Sequence, residues 1–133
     1  MYWFMHALKN YAHFSGRARR REYNWFQLVT SSILSVLVLA FLFSLLSTIG
    51  VRGTITGNVL FVALLGLLVM GFALLIAVPS WSVLVRRLHD IGLSGWLSLL
   101  VFVPGCGFLF LVVVGLINGA AGPNKFGDDP KSK

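Results

Sequence analysis

Residues 23–51, 53–85 and 91–124 form three windows that contain no Asp, Glu, Lys or Arg. They run 29, 33 and 34 residues, each longer than the roughly 20 apolar residues that cross a hydrocarbon core about 30 Å thick. The pattern predicts membrane-spanning helices over 25–49 and 59–84, joined by a Gly- and Thr-rich loop at 50–58. A cleavable leader fits the start poorly: 24 residues precede the first span, and that span exceeds the apolar run of about 7 to 15 residues in a signal peptide. A retained anchor is expected.

The third window, 96–117, has two readings, because Pro104-Gly105-Cys106-Gly107 interrupts it. As one kinked helix it crosses the bilayer and carries the polar tail, 118–133, to the far side. As a re-entrant or broken helix turning at Pro104–Gly107, it brings the tail back. Its two legs then reach only partway across, and the turn's backbone must be buried in protein. Ahead of the first span, Phe4, Leu8 and Tyr11 recur at helical spacing, with His6, Lys9 and His13 on another face. That predicts an amphipathic interfacial helix, part of a 1–22 segment that ends in a basic motif. The expected fold is a single all-α membrane domain over 1–133: three hydrophobic segments in a small bundle, preceded by the interfacial helix.

Composition agrees with the pattern. Hydrophobic residues make up 57% and charged ones 11%, against about a quarter charged in soluble domains. The net charge of +7 does not suggest nucleic acid, since the basic residues cluster between apolar blocks instead of covering one soluble face. Lys9, Arg17, Arg19, Arg20 and Arg21 precede the first span, Arg52 alone follows it, and Arg86 and Arg87 follow the second. The positive-inside rule therefore places the N-terminus and an 86–95 loop in the cytoplasm. A single third span leaves seven basic residues inside and four outside, whereas a returning one gives ten to one. Trp3, Trp25, Trp81 and Trp96 fall near the same boundary and are expected to anchor at headgroup level.

Three polar motifs interrupt the apolar blocks: FSGRARRREY at 14–23, RRLHDIGLSGW at 86–96 and GPNKFGDDP at 122–130. In this order they resemble the signatures of the DUF805 family of small bacterial inner-membrane proteins, and the likeness covers nearly the whole chain. Asn24 stands where a second aromatic is common, and Lys125 replaces an Arg. The resemblance implies a helical fold and a bacterial cytoplasmic-membrane location; it supplies no biochemical activity.

All four acids, Glu22, Asp90, Asp128 and Asp129, lie in these motifs, with seven of the eleven basic residues. Charges held near lipid are costly unless paired or hydrated, so Glu22 or Asp90 is expected to meet an arginine of the other motif. The candidate residues for binding anionic lipid, another anion or a partner are Arg17, Arg19, Arg20, Glu22, Arg86, Arg87, His89, Asp90, Ser94, Asn124, Lys125 and Asp128. Ser94 is also placed to cap a following helix.

His89 and Asp90 do not form a dyad by adjacency, since neighbours on a helix point about 100° apart. No nucleophile motif surrounds Ser15, Ser94 or Cys106. The three histidines are too scattered in sequence for a metal cluster, so neither catalysis nor a metal or other cofactor is expected. Gly115 and Gly119 form a GxxxG pair, a pattern that permits close helix contact and homo-oligomers, and Pro79 is expected to bend the second span. Two functions follow: an accessory protein whose cytoplasmic Arg/Asp face binds anionic lipid or a membrane-protein partner, or an oligomeric transport component using the Ser31, Ser35, Ser44 and Thr48 line.

Overall fold

A computed structural model describes residues 2–49 and 59–130, without the side chains of residues 2, 3 and 49. The expected loop at 50–58 with Arg52, and Lys131 and Lys133, lie outside the described residues, as does the side chain of Trp3, expected as an anchor. The described chain forms four α-helices, α1 (Tyr2–Lys9), α2 (Arg20–Ile49), α3 (Val59–Ile91) and α4 (Gly107–Leu116), and a 3-10 helix (Gly95–Phe102) between α3 and α4. It is an all-α membrane protein: α2 and α3 are each long and apolar enough to cross a bilayer.

The chain divides into two compact units, one of residues 29–77 and one of residues 1–28 with 78–133. The 29–77 unit holds uncharged stretches of α2 and α3. Its Leu39, Phe43, Leu60 and Leu74 are exposed, which suits lipid, a solvent as apolar as leucine itself. Within it α3 passes close to α2 at Gly66, where a Cβ would lie 3.1 Å from the Phe41 ring.

The other unit has its own core, in which Ala7, Tyr23, Phe26, Val83, Leu88 and Val114 are buried. The apolar side of α1 packs here: Phe4 stacks on Phe26 at 5.5 Å, and Ala7 is fully enclosed. Tyr11 and His13 lie beyond α1, so the expected interfacial face is shortened to Phe4 and Leu8. The Ser82 hydroxyl reaches His13 O at 2.6 Å and ties the chain after α1 to α3.

Two expected boundaries are corrected. The 86–95 loop is helical through Ile91, because the helix stops only where Gly92 adopts φ 89°. There Leu93 N donates to Leu88 O at 2.9 Å and Gly92 N to His89 O at 3.1 Å, the paired bonds that close a helix on a left-handed glycine. Only Gly92 onward is loop, and Ser94 caps the 3-10 helix, its hydroxyl accepting from Trp96 N at 3.4 Å.

The single kinked helix over 96–117 is not formed. Val103 takes φ −77° and ψ 115°, the extended conformation that Pro104 imposes on its predecessor. Gly105 then turns at φ 82°. The chain folds back so tightly that a Cβ at Gly107 would lie 2.2 Å from Val101 O. The 3-10 leg of 8 residues and the α4 leg of 10 measure about 16 Å and 15 Å at about 2.0 and 1.5 Å per residue. Each is about half the hydrocarbon thickness.

Candidate functional site

The last two turns of α3 carry Arg86, Arg87 and Asp90, all buried in the second unit. Asp90 sits one turn beyond Arg87, so their side chains meet on one face, where Arg87 Nη1 donates to Asp90 Oδ2. Arg17 arrives from the extended stretch before α2 and donates Nε to Asp90 Oδ1 at 3.0 Å. One carboxylate thus holds two guanidiniums. A second pair joins the same motifs in the opposite sense: Arg86 Nη1 donates to Glu22 Oε1 at 3.0 Å, with Glu22 in the first turn of α2. His6 Nδ1 lies 3.3 Å from the same Glu22 oxygen. Both cross-motif pairings expected of Glu22 and Asp90 are present.

The arginines also complete the returning segment. Arg17 donates to Gly122 O at 2.6 Å and to Ala120 O at 2.5 Å, so it clasps the third motif. Arg87 donates Nε to Val114 O at 3.2 Å and Nη2 to Ile117 O. These are carbonyls at the C-terminal end of α4, which lack helical partners and carry the negative end of the helix dipole. Asn24 adds a bond from Nδ2 to Gly115 O at 3.2 Å. The Tyr23 hydroxyl donates to Leu111 O at 3.0 Å. In this way a short helix ending inside the protein has its polar end satisfied.

Backbone contacts close the assembly. Ala18 N donates to Arg86 O at 3.0 Å and Ala120 N to Asp90 O at 2.8 Å. Asn124 Nδ2 donates to His89 O at 2.9 Å. His89 donates from Nδ1 to Gly16 O at 3.2 Å and stacks on Phe126 with centroids 3.9 Å apart.

The remaining candidates are placed outside this knot. Arg19 donates to Pro130 O, and Arg20 lies 3.4 Å from Asn118 Oδ1 at the surface. Lys125 is exposed with its ammonium 5.0 Å from the Phe126 ring centre, and Asp128 is exposed. Of the tryptophans, Trp25 and Trp96 are exposed, while Trp81 packs on Phe102 at 5.3 Å. Among the described residues no three His, Cys, Asp or Glu side chains gather as a metal set.

Several residues in the knot escaped the sequence reading. Asn24 was legible only as a missing aromatic, yet it caps α4. Gly115 and Gly119 read as a helix-contact pair, but Gly119 lies beyond α4. A Cβ at Gly119 would lie 2.0 Å from Asp90 Oδ2, and one at Gly115 2.7 Å from Asn24 Oδ1. Their small size admits the polar knot itself.

The comparisons bear on the whole of this arrangement. The family model described as "Protein of unknown function (DUF805)" matches residues 11–128, which takes in all three motifs. The chain is 38% identical over 131 residues to inner membrane protein YhaH of Escherichia coli (strain K12), covering 98% of each. It is 37% identical over 131 residues to inner membrane protein YhaI of the same strain, covering 98% of this chain and 97% of that one. No solved structure matches.

Proposed function

The chain belongs to the DUF805 family and is an integral membrane protein; from that premise we propose that it is a non-catalytic accessory protein of the bacterial inner membrane that gathers anionic lipid at its basic surface. The observation that carries this is the division of the charges. The side chains of Arg17, Arg86 and Arg87 are committed inside the protein, whereas Lys9, Arg21 and Lys125 are exposed. A basic side chain near an anionic membrane surface contributes about 1 kcal/mol. The buried Arg/Asp set then acts as the scaffold and the exposed set as the contact. Ser15 Oγ, 2.9 Å from His13 Nε2, has the spacing of a nucleophile and base but is open to water, so it supports no catalytic reading.

Replacing Lys9 and Arg21 together by Gln is expected to weaken retention of anionic lipid by about thirtyfold, from about 1 kcal/mol for each charge. Lipid mass spectrometry of the purified protein reads this directly. Unchanged anionic lipid with both charges gone would sink the proposal, and loss of a co-purifying protein instead of lipid would shift the contact to a partner.

The same proposal places the N-terminus, the end of α3 and the tail on the cytoplasmic face, from the bias of basic residues. A fluorescent reporter that matures only in the cytoplasm, fused after Lys133, is expected to glow. A dark reporter together with an active periplasmic phosphatase fusion at the same site would reverse the assignment.

A further inference from the structure

The turn that joins the 3-10 helix to α4 lies deep in the membrane. The 3-10 helix begins beside the end of α3, where a Cβ on Gly95 would lie 3.2 Å from His89 Nε2. At its last residue, Phe102 packs on Trp81 at 5.3 Å. Trp81 precedes His89 by about two turns of α3, about 12 Å at about 1.5 Å per residue, so the 3-10 helix runs inward. Pro104, Gly105 and Cys106 follow at once, close to the middle of a hydrocarbon core about 30 Å thick.

Water does not serve backbone groups at that depth, so every N–H and C=O there needs a partner from protein. The turn meets this demand only in part. Val103 O accepts from Cys106 N at 3.2 Å and from Gly107 N at 3.1 Å. Among the described residues no backbone bond runs to Gly105 N, Pro104 O or Gly105 O, and residues 103–106 are all exposed. Gly105 is also open to approach: at φ 82° a Cβ on it would meet nothing within 4 Å. Phe102 and Phe108, which flank the turn, are 70% and 75% exposed.

Lipid tails offer these polar groups nothing. An apolar helix offers little more, since its own backbone bonds are internal. A second copy of the same turn offers both kinds of partner, because one small surface carries a donor, Gly105 N–H, beside the acceptors Pro104 O and Gly105 O. Across a two-fold axis the donor of each copy meets a carbonyl of the other, so one contact makes two reciprocal bonds. Gly105 and Cys106 are small enough for two backbones to come close. We propose that the protein is a homodimer whose Pro104–Cys106 turns face each other at mid-depth in the membrane. One carbonyl of each turn is left over, the backbone group more often found short of a partner. The dimer does not depend on the lipid reading.

Cys106 is the only cysteine of the chain and stands on the turn, so it reports the contact. Membranes holding the full-length protein are oxidised with copper phenanthroline, which takes two electrons and two protons from a pair of thiols. A covalent dimer is expected on a non-reducing gel. Leu116→Cys in a Cys106→Ala background, at an exposed position on the other end of α4, measures chance collision. Cys106 is expected to cross-link about tenfold faster, from two interchain bonds at about a threefold factor each. Cys106→Trp adds bulk at an exposed position and is expected to weaken dimerisation in nanodiscs, read by native mass spectrometry, by a similar factor with an unchanged melting temperature. Equal cross-linking at the two positions, cross-linking of Cys106 to a different protein, or a Cys106→Trp protein that dimerises as well as the wild type would each overturn the dimer. So would labelling of Cys106 by a membrane-impermeant maleimide applied to both faces, since a hydrated turn needs no cover.

Discussion

Asp90→Asn is expected to destabilise the unit of residues 1–28 and 78–133 by about 3–5 kcal/mol, the usual cost of leaving buried charge without its partner. Both oxygens of Asp90 are occupied, one by Arg17 and the other by Arg87. The amide retains one acceptor, removes the negative charge, and presents N–H groups to a guanidinium that can only donate. Those arginines in turn hold the carbonyls of Val114, Ile117, Ala120 and Gly122. The loss therefore spreads to the returning segment and the tail. Such a cost is a large share of the roughly 5–15 kcal/mol that stabilises a domain. It should appear as a strong drop in melting temperature in detergent and in steady-state protein level. Asp128→Asn, at an exposed carboxylate, is expected to change stability by less than about 0.5 kcal/mol. Equal melting of the two variants would refute the view of Asp90 as the centre of the knot.

Gly119→Ala is the second large effect, although it adds one methyl group. Its Cβ would lie 2.0 Å from Asp90 Oδ2 and 2.6 Å from Cγ, far inside van der Waals contact. A mobile side chain could move aside, but Asp90 is fixed by two arginines, so either the ion pairs or the 118–122 backbone must shift. Overpacking usually costs about 1–3 kcal/mol, and disturbance of the ion pairs adds to it. Gly71→Ala provides the contrast: a Cβ there meets nothing within 4 Å, and helix propensity favours Ala by about 1 kcal/mol. Thermal melts of both variants test the comparison. A Gly119→Ala protein as stable as Gly71→Ala would mean that Asp90 is less constrained than its contacts imply.

Sequence patterns made much of the fold visible, and their failures have distinct causes. α2 and α3 were readable because a charge-free run longer than the bilayer thickness is a local property. The pairing of Glu22 and Asp90 with arginines followed from the cost of isolated charge in lipid, which holds whatever the fold. The end of α3 was misplaced because charged residues there resembled a solvated loop. Their burial in a helix depends on Arg17 and Glu22 arriving from elsewhere. Pro104 and Gly105 left open whether a helix kinks or turns back, because both outcomes are locally allowed. Asn24 and Gly119 were opaque for a related reason: a cap and a close approach have meaning only beside the group they touch.

The sequence by itself determined that the chain resides in a membrane, which segments are apolar enough to cross it, and that its few charges must find one another. Composition and run length suffice for that, since the preference of a side chain for hydrocarbon or water is its own property. Tertiary structure decided which charges meet, that the third segment returns, and that the three motifs form one knot in place of an open charged face. Those outcomes rest on contacts between residues distant in sequence, such as Arg17 with Asp90, 73 positions away, and with Gly122, 105 positions away. Whether a buried charge stabilises or destabilises is set by the geometry of its partners, and that geometry exists only once the helices have packed.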